Sequence, residues 1–257
     1  MHCAAAAALA IPGAWPWALG AVVADHLLLT GCGLTPRSAW LGPNWTRLPS
    51  AAAAHIAITV DDGPDPEVTL PALDALDRQG AKATFFCIGE RVAKYPAVAR
   101  EIVRRGHAIE NHTQHHRHDF SVLGPARLSR EIAAAQDTIA SVCGTPPAFF
   151  RAPAGLRSPW LAPVLSRLGL ALVSWTRRGF DTVRRDPEAV LRKLGQGLRA
   201  GDILLVHDGS AARTAAGSPV ILAVLPRLLT LCGAAALTPI TLREAVERAG
   251  ACGGCGK

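Results

Sequence analysis

A chain of 257 residues, 49% of them hydrophobic, can bury a complete core, and one barrel-sized catalytic domain with a short appendage uses nearly all of it; a small disulfide-stapled module is excluded. The net charge of +7 comes mostly from arginine, with only four lysines, and the positive residues are scattered rather than gathered in a stripe, which excludes a nucleic-acid footprint and reads as a solvated basic surface. Seven cysteines, at 3, 32, 87, 143, 232, 252 and 255, form an odd, dispersed set that does not report the redox compartment.

Residues 1–34 carry few ionisable groups besides cysteine and are rich in Ala, Leu, Val and Trp, a membrane-facing composition. The run from Cys3 to Ala24 is about 22 residues, enough to cross a bilayer as one helix, with Pro12, Gly13 and Pro16 expected to kink it. A cleaved signal peptide fits less well, because Met1-His2-Cys3 supplies no basic n-region. The expectation is a membrane anchor, at a bacterial inner membrane. Arg37 and Arg47 follow the run, so the positive-inside rule favours a cytoplasmic domain unless the chain crosses twice, and the side stays open. Residues 35–50, with Pro36, Gly42, Pro43 and Pro49, read as a linker to a catalytic domain over 51–249.

Within that domain short apolar runs alternate with amphipathic stretches. The first strand, His55 to Val60, delivers Thr59-Val60-Asp61-Asp62-Gly63-Pro64. Two adjacent carboxylates are uncomfortable when both are ionised, so a metal bound by one leaves the other as a base; the plainer reading is a tight turn. A strand at Ala83 to Cys87 and a helix at Glu90 to Arg105 follow, then a strand at His107 to Asn111 that opens Asn111-His112-Thr113-Gln114-His115-His116. Five of the nine histidines fall between 107 and 118, and the four-residue spacing of His112 and His116 can present two imidazoles to one ion. With one carboxylate they make a three-ligand set with open positions, the catalytic rather than the closed structural kind. A solvated histidine-rich loop is the alternative, with His107 packing at the strand and His115 and His118 as spare ligands.

A helix at Pro125 to Cys143 leads to the strand Ala148 to Phe150 and to Phe149-Phe150-Arg151-Ala152-Pro153-Ala154-Gly155. A buried Arg151 beside Asp61 would hold that carboxylate ionised, and the Ala154 N–H could point at a developing oxyanion, which Pro153 cannot do. The strand Leu170 to Trp175 and the helix Asp186 to Ala200, opened by Asp-Pro-Glu, come next. The apolar run Ile203 to Val206 ends in His207-Asp208-Gly209, and Leu237 to Ile240 is the seventh strand candidate. Asp61, Asp62, His112, Arg151 and His207 each follow a strand, the edge where parallel sheets, open or closed into a barrel, build active sites. Residues 250–257, with Cys252-Gly-Gly-Cys255, read as a frayed glycine-rich tail rather than a zinc or redox site.

The ordered set TVDDGP, NHTQHH, FFRAPAG, WTRRGFD and LLVHDG resembles the polysaccharide deacetylase family, the NodB-homology or carbohydrate esterase family 4 proteins, over about Ala51 to Ala249. The resemblance implies an α/β fold, a distorted (β/α) barrel of about seven parallel strands, one divalent metal ion, usually zinc (Zn2+), and removal of N-acetyl groups from a glycan. It implies Asp61 as base, Asp62, His112 and His116 as metal ligands, Arg151 as partner of the base, His207 as acid and Asp181 as the residue that tunes the acid. Two departures alter the cleft: Ala154 stands where the family often has tyrosine, and Phe180-Asp181-Thr182 replaces the usual Asp-Trp ending. A hydrolase of a non-sugar amide or imide on the same scaffold, and a catalytically silent glycan-binding protein, are the competing readings.

Overall fold

The computed structural model describes residues 13–49 and 54–253. In chain order the elements are α1 (Trp15–Gly33), β1 (His55–Asp61), α2 (Thr69–Arg78), β2 (Ala83–Cys87), α3 (Gly89–Lys94), α4 (Pro96–Arg104), β3 (Ala108–Asn111), α5 (Pro125–Cys143), β4 (Phe149–Phe150), α6 (Leu161–Arg167), β5 (Ala171–Leu172), β6 (Arg177–Arg178), α7 (Pro187–Gly195), β7 (Ile203–His207), α8 (Val220–Ala234), β8 (Thr238–Pro239) and α9 (Leu242–Gly253). The sheet runs β5-β4-β3-β2-β1-β7-β6, with β8 also on β1, and its pairings are parallel. Among the described residues β5 and β6 do not pair, so the barrel stays open at that seam. The expected α/β parallel architecture holds; β6 is an additional strand, and β5 and β8 are only two residues long.

β1 sits in the middle because its β-branched Ile56, Ile58, Thr59 and Val60 suit a strand covered on both faces. The two-residue repeat then sorts its side chains. Ile56, Ile58 and Val60 pack outward with Leu204 and Val206 of β7 and with Leu73, Leu76, Val190, Val224 and Leu228 from the helices. Ala57 of β1 and Ile203 and Leu205 of β7 belong to a second core with Phe86 and Trp175. Thr59, Asp61 and His207 share the parity of that inner set and continue it toward the mouth.

α5 starts with Pro125 in its first turn, where a missing N–H costs nothing, and stops at Gly144, whose φ of 75 suits glycine. Leu128, Ile132, Ala135 and Ile139 form its buried stripe. α7 is capped by Asp186, which accepts from the Glu188 and Ala189 N–H groups at 2.9 and 3.3 Å. The helix expected over Glu90 to Arg105 is instead two helices, because Pro96 restrains Tyr95 to φ −124 and ψ 56 and begins a new first turn.

Expectations at both ends change. Pro16 lies in the first turn of α1 and starts that helix rather than kinking it. Among the described residues no helix is long and apolar enough to cross a membrane, and residues 1–12 of the expected anchor lie outside the described set. Residues 35–49 of the expected linker run as a strap over the domain. Trp45 donates to the Leu172 carbonyl and its own carbonyl accepts from Ser174, a parallel bridge along the β5 rim. Arg47 pairs with buried Asp202 at 2.7 Å, and Ser174 Oγ donates to the Pro36 carbonyl at 2.6 Å. At the other end α9 continues to Gly253, and Cys255 lies outside the described residues.

Candidate metal and catalytic site

The register of the sheet makes the site. Asp61 at the tip of β1 lies opposite His207 at the tip of β7, and Asn111 at the end of β3 lies opposite Phe150, so His112 and Arg151 leave neighbouring strands together. Among the described residues six non-glycine positions have positive φ, and five of them, Asp62, Thr113, His116, Ala154 and Phe180, lie in loops that follow strands at this edge. Such backbone costs on the order of 1 kcal/mol or more per residue and persists where surrounding structure over-determines it.

Asp62, His112 and His116 bring one ligand atom each to within 4.8 Å of one another. His112 Nε2 and His116 Nε2 lie 3.2 and 3.3 Å from Asp62 Oδ1. His112 Nδ1 donates to the Arg151 carbonyl at 2.8 Å, which leaves the lone pair of the neutral ring on Nε2, aimed at the carboxylate. Asp62 Oδ1 is buried without a hydrogen-bond partner, while Oδ2 accepts from Ser210 Oγ. Electron-pair donors converging on an orphaned oxygen fit a divalent cation, and two nitrogens with one oxygen suit zinc among others. Without a cation, burial opposes the charge on Asp62, yet His112, with His207 and His116 behind it, outweighs burial and holds the carboxyl well below the usual range. Burial likewise opposes a charged His112, but Asp61 and Asp62 raise its pKa.

The loop between these ligands is fastened from below. Thr113 N–H donates to Asn111 Oδ1 at 2.9 Å, His116 N–H to Thr113 Oγ1 at 3.0 Å, and His115 N–H to Glu131 Oε1 at 2.6 Å. His115 Nδ1 faces Glu131 at 3.0 Å and His118 is exposed, so neither joins the triad. His107 packs at its strand, accepting from the Ala83 N–H.

Arg151 is 1% exposed and donates to Asp61 Oδ1 and Thr59 Oγ1 at 2.7 Å and to the carbonyls of Val173 and Ser174, with its guanidinium 4.1 Å from the Phe86 ring centre. Burial pushes its pKa down against the pull of Asp61. Beside it, Asp181, fully buried, accepts from His207 Nδ1 at 2.9 Å and from the His207 N–H at 2.7 Å. Burial opposes a charged His207, but Asp181 first and then Asp61 and Asp62 raise its pKa to about 9.

Asp61, Asp62, His112, His116, Ala154 and His207 line one cleft of about 210 Å³, with Trp175, Arg178, Thr182 and Ser210. The residues given a role by the family resemblance thus meet there, Arg151 through Asp61 and Asp181 through His207, whereas His115 and His118 do not. Ser210, Thr59 and Arg178 were not singled out. Thr59 has the parity of Asp61 on β1, a signal that could have found it; Ser210 carries no motif and is known only from its contact. Gly209 is packed against the same carboxylate residue: a Cβ there would lie 2.1 Å from the Asp62 carbonyl oxygen. Gly209→Ala is expected to displace Asp62 and weaken cation binding at least about tenfold, read as the dissociation constant in a metal titration.

The family model for polysaccharide deacetylase matches residues 50–173. A chitooligosaccharide deacetylase of Bradyrhizobium sp. is 36% identical over 155 residues, 60% of this chain and 70% of that protein. The chain belongs to the polysaccharide deacetylase family. Another similar member is a peptidoglycan-N-acetylglucosamine deacetylase of Bacillus cereus, 33% identical over 161 residues, 62% of this chain and 75% of that protein. Among solved polysaccharide deacetylase relatives, a family 4 carbohydrate esterase from Streptomyces lividans in complex with acetate superposes with a TM-score of 0.66 at 30% identity, covering 73% of this chain and 92% of that one.

Proposed function

We propose that this polysaccharide deacetylase hydrolyses N-acetyl groups on an N-acetylated glycan, a chitooligosaccharide or peptidoglycan N-acetylglucosamine, with one divalent cation, zinc in this reading, held by Asp62, His112 and His116. The observation that carries it is the orphaned Asp62 Oδ1 facing two imidazole nitrogens, flanked in one cleft by Asp61 backed by Arg151 and His207 backed by Asp181.

The bound cation would polarise the acetyl carbonyl and lower the pKa of a water toward neutrality. Asp61, with Oδ1 held by Arg151, presents Oδ2, 3.9 Å from His112 Nε2, to take the proton of the attacking water. The water oxygen bonds to the acetyl carbon, and the Ala154 N–H, at φ 54 on the cleft wall, is the backbone donor in this reading for the developing oxyanion. His207, charged through Asp181, gives its proton to the nitrogen as the C–N bond breaks, since an amine anion is too basic to leave. Acetate and a free amino sugar depart, and the proton on Asp61 restores the one His207 gave up.

The test is acetate release from N-acetylchitotetraose, lost with chelator and restored by a divalent cation. Release that ignores chelation overturns the cation assignment, and no release from any acetylated glycan overturns the function. Cation at about a hundredfold above its dissociation constant is also expected to stabilise the fold by about 2.7 kcal/mol, measured as a chelator-reversible rise in the thermal midpoint.

A further inference from the structure

One cation in the catalytic cleft has no assigned work. Arg178 on β6 lines the cleft with Asp61, Asp62 and His207, yet its side chain makes no ion pair or hydrogen bond among the described residues, and its Nε is buried without a partner. Its guanidinium lies instead against two rings, 5.6 Å from the centre of Trp175 and 5.1 Å from that of Phe180. Phe180 is held for this at φ 60, a conformation a phenylalanine adopts only under constraint, and Lys193 Nζ lies 5.9 Å from the same ring. Stacking fixes the plane of a guanidinium and leaves its N–H edge available.

The carboxylates nearby are already engaged. Asp61 is paired with Arg151, Asp181 with His207, and Asp62 faces the two imidazoles. Three carboxylates would repel an anionic substrate, and an unpaired arginine beside them offsets that repulsion. A half-buried guanidinium without a counter-charge calls for one from the ligand, and a carboxylate matches its fork with two charge-assisted hydrogen bonds.

We infer that Arg178 recognises a carboxylate carried by the glycan close to the N-acetyl group being cleaved, so that the preferred substrate is an acidic amino-sugar polymer rather than a neutral one. This rests on the function proposed above and narrows it. The residue determines specificity and takes no part in proton transfer.

The experiment compares acetate release from two probes, neutral N-acetylchitotetraose and a peptidoglycan-type tetrasaccharide whose alternate sugars carry an O-lactyl carboxylate. The wild-type protein should favour the acidic probe by about tenfold or more in kcat/KM, an advantage that shrinks as salt is added. Arg178→Gln should erase that advantage through KM while leaving the neutral probe within about threefold, and Arg178→Lys should keep part of it. Equal wild-type rates on the two probes, or an equal fall on both in Arg178→Gln with Arg178→Lys no better, overturns the inference while acetate release from the neutral probe leaves the function standing. Release from neither probe removes the function itself, and this inference with it.

Discussion

Replacing Asp61 by asparagine is expected to lower acetate release by about a thousandfold or more, the range over which a positioned base acts, while the cation remains bound. The amide keeps the shape of the carboxylate but cannot take a proton at neutral pH. Asp62, His112 and His116 are untouched, so metal content should equal that of the wild type. The same change leaves Arg151 buried without its anion. Removing one member of a buried pair costs about 3 kcal/mol or more, moderated here because Thr59 Oγ1, two carbonyls and the Phe86 ring still receive the guanidinium. Denaturant unfolding with parallel metal analysis checks both parts. Turnover that survives in Asp61→Asn would sink the assignment of the base.

Asp181→Asn acts on the other proton. His207 is raised from an ordinary 6.5 to about 9, so it can serve as an acid until pH climbs through about 9, and Asp181 is the largest favourable cause. Without that anion burial dominates, and the basic limb of kcat/KM should fall from near 9 to about 7 or lower, with rates at pH 8 down about tenfold or more. A cation on Asp62 offsets the help His207 receives from that carboxylate, which places the wild-type limb below 9 rather than above it. Stability follows the same sign. A raised folded pKa contributes stability in full below 6.5 and loses it as pH rises through 9, so the variant's deficit should be greatest at pH 6 and shrink by pH 9.5. A limb that stays in place in Asp181→Asn would remove Asp181 from its role.

Much of this centre was legible because each reactive group follows an apolar strand, and strand ends are where parallel sheets gather loops. Asp61 and His207 are register neighbours for that reason. Fold class was legible in the alternation of buried runs with amphipathic ones. What failed to show was short or imposed by packing. β6 is two arginines with no apolar pattern, and β5 and β8 are too brief to carry a period. Pro96 was visible but was read through, although a proline inside a helical pattern divides it. The prolines and glycines of 35–50 suggested a free connection, whereas Trp45 and Arg47 dock it through contacts more than a hundred residues away in sequence. Ser210 and Arg178 owe their places to tertiary packing alone.

That docking also settles the fate of one side of an unclosed sheet. A full barrel leaves no bare rim, but here the Leu172 carbonyl and the Ser174 amide would face outward with nothing to bind were Trp45 not laid along them. The chain thus supplies its own terminal ribbon, and a second molecule finds no invitation there to add a strand.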